Sequence, residues 1–198
     1  ESPGGYHGVP DRVRPYLFHG LDLTERGDHW VGDCLFCGRA GGSGKFSVDA
    51  DTGLWRCFVC GSGTDSGGGN AIIFVRMLHD MARAARASLS DAAADRELSA
   101  DALEAWGVCL SPVDGAWMVP GYGVDGKLNQ LYRRTWFDGK WQMWPTPGVW
   151  PLTKSHALHM AVGDLSPDCE DVYIDEGPWD GVALWDALRA AGTGNQVQ

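Results

Sequence analysis

The sequence predicts an α+β protein: a small antiparallel ribbon with one following helix, then an antiparallel meander, then the opening strand and helix of an α/β unit. Three observations carry this. Two Cys-x-x-Cys pairs, Cys34/Cys37 and Cys57/Cys60, bracket the strand-like runs "KFSVDA" and "GLWRCF". Two Asp-Gly turns, Asp125-Gly126 and Asp138-Gly139, divide an apolar and aromatic stretch between residues 116 and 144. Further on, "DVYIDEGPWDGVALWDALRAAG" reads as a buried strand, a turn and a helix.

Taken in order, residues 1–27 hold many Gly, Pro and polar positions around the apolar patch "PYLFHGLDL", and form an N-terminal arm with a short helix. Residues 28–87 are the ribbon and the helix after it. Its two strands are separated by the turn residues Asp51, Thr52 and Gly53. After the flexible connection "GSGTDSGGG", an Asn70 cap opens a helix with Ile72, Val75, Leu78, Ala82 and Ala85 at helical spacing. Residues 88–108 link two domains through "LSADALEAWGV", a short helix from a Ser99 cap to a Gly107 stop. Residues 109–198 contain a three-stranded meander. It is followed over 170–192 by a strand from Val172 to Asp175, a turn at Glu176-Gly177, and a helix with Pro178 at its first position.

A chain of 198 residues with 44% hydrophobic content can build one sizeable core or two small domains, and the composition shifts favour two. No apolar run approaches the length of a membrane span, and "ESPGGYHGVP" has neither a basic nor an apolar leader region, so a cytoplasmic location without a membrane partner is expected. The start without Met and the polar end "GTGNQVQ" read as cuts in a longer protein. The net charge of −10 is uneven. Six cations face nine carboxylates over 1–75 and four face six over 76–106; five face three over 107–160 and one faces eight over 161–198. A carboxylate-rich segment after a mildly basic one suits divalent cations held beside a phosphate backbone, although solvated surface charge produces the same pattern.

Nineteen residues separate the two cysteine pairs, which is four-cysteine zinc spacing. Each Cys-x-x-Cys turn can aim two thiolates at one ion, with Gly38 and Gly61 relaxing the backbone after each pair. We therefore assign Cys34, Cys37, Cys57 and Cys60 to structural Zn²⁺. A redox dithiol accounts for only one pair at a time, and the isolated Cys109 and Cys169 read as buried small hydrophobes. Around the clamp, Arg39, Lys45, Trp55, Arg56 and Phe58 offer phosphate partners and flat rings for base stacking. Equally, the two aromatics could fill a small core and the cations be solvated.

The ordered assembly "CLFCGRAGGSGKFSVDADTGLWRCFVCGSG…GGGNAIIFVRML" resembles the zinc-binding domain of bacterial and phage DnaG-type primases. Many cellular members use Cys, His, Cys, Cys, whereas Cys37 here completes four cysteines. "VYIDEGPWD" resembles the opening motif of a TOPRIM domain, which implies Glu176 as the acidic catalytic residue and Asp180 as its auxiliary carboxylate, with Mg²⁺ as the catalytic ion. The intervening segments are similar to the N-terminal part of the primase core, which implies template or nucleotide contacts for Arg133, Arg134 and Lys154. By this resemblance the complete enzyme would engage single-stranded DNA and join ribonucleoside triphosphates into a primer, with a replicative helicase, fused or separate, as a candidate further partner. No later Asp-x-Asp pair stands in "AAGTGNQVQ", so the chain alone is expected to be inactive. Two other readings stay open. One is a recombination mediator of RecR type, in which a four-cysteine site also precedes a TOPRIM domain. The other is a zinc-ribbon adaptor for protein partners, which the acidic balance favours.

Overall fold

A computed structural model describes residues 6–37, 44–60, 68–123, 126–149 and 178–192. The expected strand at Val172–Asp175, the Glu176-Gly177 turn, Lys154, Cys169 and most of the 61–69 connection lie outside the described residues.

Among the described residues, two antiparallel sheets are built in strict chain order. The first joins β1 (Leu23–Arg26), β2 (His29–Gly32), β3 (Phe46–Asp49), β4 (Trp55–Cys57) and β5 (Gly68–Gly69). The second joins β6 (Cys109–Leu110), β7 (Trp117–Tyr122), β8 (Leu128–Phe137) and β9 (Lys140–Pro145). Helix α1 (Arg14–Phe18) precedes the first sheet and α2 (Ala71–Ala85) follows it; α3 (Ser90–Ala94) and α4 (Ala100–Ala105) lead to the second sheet, and α5 (Pro178–Ala190) comes last. Among the described residues no helix is long and apolar enough to cross a membrane.

Sequence and structure differ first in strand number. Where sequence suggested one hairpin, the first sheet has five strands. The β1–β2 hairpin fully buries only Leu23 and does not alternate apolar with polar residues, so no strand pattern betrays it. Strand β5 consists of two glycines, which have no strand propensity of their own. It exists because a side chain is excluded there: a Cβ on Gly68 would lie 1.8 Å from the Trp55 carbonyl oxygen. The meander likewise gains β6 as a fourth strand.

The β3–β4 turn is closed by Asp49, whose Oδ1 accepts from the Thr52 hydroxyl and amide, both at 2.7 Å. Asp138 and Gly139 both adopt positive φ, 51° and 73°, the backbone of a two-residue hairpin turn whose twist matches the strands. Asn70 caps α2 by accepting from the Ile73 amide at 3.1 Å, and Ser99 caps α4 by accepting from the Ala102 amide at 3.1 Å. Helix α2 buries Phe74, Val75, Leu78, His79 and Ala82, whereas Ala85 of the expected stripe is exposed.

One core runs through the first sheet, α1, α2 and one face of the second sheet. Phe74 is its hub, 4.9 Å edge-on to Tyr16, 5.6 Å from Phe36 and 6.1 Å from Trp55. The same cluster takes in Met118, Leu128 and Leu131 of the second sheet. A second cluster covers the opposite face, where Val119 and Tyr132 meet α3, α4 and α5. The register shift near Gly121 and Tyr122 leaves Asn129 unpaired and turns Leu128 toward α2. Polar ties cross between the two sheets' elements: Arg76 Nε donates to the Leu128 carbonyl at 2.6 Å, and His79 Nε2 lies 2.8 Å from the Gly107 carbonyl.

Candidate metal centre and nucleic-acid interface

Strand parity builds the cysteine cluster. Trp55 and Cys57, two apart on β4, both point inward, at 2% and 3% exposure, while Arg56 between them points out. Trp55 stacks on Phe46 at 5.2 Å and donates from Nε1 to the Asn70 carbonyl at 3.2 Å, tying β4 to the head of α2. Phe36, within the first cysteine pair, packs against Trp55 and Phe74, so the segment that carries Cys34 and Cys37 is anchored on the core. The four sulfurs lie within 4.8 Å of one another. Across the two pairs, Cys34 Sγ and Cys60 Sγ are 3.8 Å apart.

That distance has a chemical meaning. Zinc–sulfur bonds of about 2.3 Å in a tetrahedron place neighbouring sulfurs about 3.8 Å apart, whereas a disulfide requires about 2 Å. The four cysteines are unbonded thiols. Burial pushes the Cys34 thiol up, opposed by the Phe36 and Cys37 amides; a cation bound to the thiolate offsets that cost. Donor type, number and spacing therefore fit a structural zinc ion. Cys109 is buried in the core, where burial pushes its thiol up to about 12.

The outer face of the same strand carries different chemistry. Lys45, Arg56 and Phe58 share this face, because Phe58 follows the Phe46↔Cys57 pair and its amide donates to the Lys45 carbonyl at 3.0 Å. Phe58 is 60% exposed, and the Arg56 guanidinium lies 4.3 Å from its ring centre. An exposed ring with two cations beside it can stack a base and pair its phosphate. Trp55, singled out in the sequence as a stacking candidate, is instead core. Parity anchored on Cys57 was the signal that separates the two: a residue two before a ligand faces in, and one after it faces out.

Arg133 and Arg134 are adjacent on β8 and therefore face opposite sides of the sheet. Arg133, 7% exposed, donates to the Phe18 carbonyl and to Asp114. Arg134, 4% exposed, pairs with Asp95 at 3.2 Å and lies 4.5 Å from the ring centres of both Trp117 and Trp141. Both guanidiniums are thus bonded inside the chain, whereas the resemblance implied template or nucleotide contacts for them. Asp180 is exposed in the first turn of α5. Asp186 on the same helix accepts from the Ser99 hydroxyl at 2.6 Å, docking α5 on α4. Lys154 and Glu176 lie outside the described residues.

Neither a protein-family profile nor a curated protein sequence matches the chain. Among solved structures it is similar to the zinc-binding and RNA polymerase domains of the Aquifex aeolicus primase, at 15% identity and a TM-score of 0.27. The likeness covers 72% of this chain and 55% of that one. So loose a superposition decides nothing about the site.

Proposed function

We propose that the chain is the N-terminal part of a DnaG-type DNA primase, in which a four-cysteine zinc ribbon engages single-stranded template ahead of a TOPRIM core. The convergence of four cysteine sulfurs within 4.8 Å of one another carries this reading, because it gives the sequence resemblance a candidate metal centre. Cys34, Cys37, Cys57 and Cys60 would hold zinc. Lys45 and Arg56 would neutralise phosphates while Phe58 stacks a base. In a protein that continues this chain with the rest of such a core, Glu176 and Asp180 would serve the Mg²⁺ site, Lys154 would face template or nucleotide, and ribonucleoside triphosphates would be the substrates.

The test is binding of this chain to a single-stranded oligothymidylate across a salt series. Affinity should fall by roughly 0.7 log units per log of salt for each phosphate neutralised, and Lys45→Gln with Arg56→Gln should weaken it. In the extended protein, template-directed primer synthesis should be lost on Glu176→Gln. A zinc-ribbon adaptor for protein partners is the second reading, favoured by the burial of Arg133 and Arg134 and by the net charge of −10. Absence of oligonucleotide binding at low salt would replace the first reading with it.

A further inference from the structure

Where α2 meets the second sheet there is an open groove of about 270 Å³, lined by Arg76, His79, Asp80 and Arg83 from the helix and by Tyr122, Lys127 and Leu128 from β7, β8 and their connection. The helical residues stand at i, i+3, i+4 and i+7, which is one face. His79 is buried against the Gly107 carbonyl, and burial lowers its pKa, so its imidazole adds no charge. The charged groups are then three cations against one carboxylate, on a chain whose net charge is −10.

Two of these cations, Arg76 and Arg83, differ from the two arginines of β8. Arg133 and Arg134 are buried and paired with carboxylates, whereas among the described residues neither Arg76 nor Arg83 forms an ion pair. Arg76 is oriented by its Nε bond to the Leu128 carbonyl, which pins the guanidinium across the seam. Arg83 is exposed and its charge reaches both His79 and Tyr122. Planar guanidiniums favour phosphate oxygens. The volume falls just under the roughly 300 Å³ at which pockets begin to engulf a whole small ligand, so it suits one phosphate passing across it better than an enclosed nucleotide.

We infer that this groove holds a backbone phosphate of a nucleic-acid strand, clamped between α2 and the β7–β8 edge, so that a bound strand spans both sheets. The inference rests on the nucleic-acid reading above and adds a contact remote from the ribbon face. The site exists only while α2 is docked on the second sheet, which couples strand binding to that docking.

The experiment measures oligothymidylate affinity against salt for the intact chain and for Arg83→Gln/Lys127→Gln, with Arg83→Lys/Lys127→Arg as the charge-preserving control. Loss of one neutralised phosphate should make the double-Gln slope shallower by about 0.7, with several-fold weaker binding, and the control should keep the original slope. Calorimetric titration with inorganic phosphate separates the sources. Saturable uptake that the double-Gln variant loses, with the oligonucleotide slope unchanged, would make this a free-phosphate site and overturn the strand assignment. Binding that weakens on Lys45→Gln/Arg56→Gln but keeps its slope in the double-Gln variant overturns this inference alone. No oligonucleotide binding by the unmodified chain overturns it together with the proposed function.

Discussion

The imidazole Nε2 of His19 lies 2.8 Å from the hydroxyl of Thr146, joining residues 127 positions apart. The Thr146 hydroxyl donates its one proton to the Leu131 carbonyl at 2.6 Å, so His19 must be the donor and carries its hydrogen on Nε2. Among the described residues its Nδ1 has no hydrogen-bond partner, and the residue is fully buried.

A second proton on His19 would therefore be a buried charge beside Arg133. Burial first, and the Arg133 charge second, push its pKa from 6.5 down to about 3. Above 6.5 both folded and unfolded chains hold a neutral imidazole; below it only the unfolded chain takes a proton, until about 3. Stability is thus full above 6.5 and lost progressively as pH falls. By pH 5 the loss should be about 2 kcal/mol. Urea unfolding of the parent and His19→Gln at pH 7 and pH 5 checks this: the parent's advantage should narrow by that amount, and a constant advantage would refute it.

Protein purified without chelator should contain one zinc per chain by elemental analysis. Cys57→Ser should abolish it, since Cys57 is 3% exposed and held in β4. Chelation should lower the thermal midpoint steeply, because structural zinc contributes about 10–16 kcal/mol of apparent binding free energy in small peptides.

Trp55 and Phe58 should separate cleanly by assay. Trp55→Ala removes a 2% exposed ring from the core and should cost about 3–5 kcal/mol of stability. Phe58→Ala should leave stability within about 0.5 kcal/mol and weaken single-strand binding by about 1–3 kcal/mol. Denaturation and fluorescence anisotropy measure the two effects; equal stability losses would contradict the assignment.

Gly68→Ala should detach β5 from β4, since backbone atoms of Trp55 and Arg56 occupy the space a methyl needs. The expected cost is about 1–3 kcal/mol. Faster amide hydrogen exchange at Trp55 and Arg56 would localise the damage, and unchanged exchange would refute it.

The cysteine cluster was legible in the sequence because metal spacing is local, and so were the Asn70 and Ser99 caps, which need only three residues to act. The Asp138-Gly139 hairpin was legible for the same reason. What escaped is non-local. Nothing in "LTERGDHWVG" marks a hairpin, because its strands lack an apolar alternation and pair through backbone. The Gly68–Gly69 strand depends on a carbonyl thirteen residues away from Gly68. The fates of Arg133 and Arg134 depend on Asp114, Phe18 and Asp95, partners that only the folded sheet brings near.

The arm before the first sheet threads between the two halves: Tyr16 donates to the Gly53 carbonyl at 2.6 Å beside the ribbon turn, while the Phe18 carbonyl receives Arg133 from the far sheet. An excised ribbon would consequently expose the α2 stripe that Met118 and Leu131 now cover, and would precipitate rather than serve as a portable module. Stripping the metal from one end would loosen the distant meander as well, and calorimetry of the whole chain would register a single endotherm.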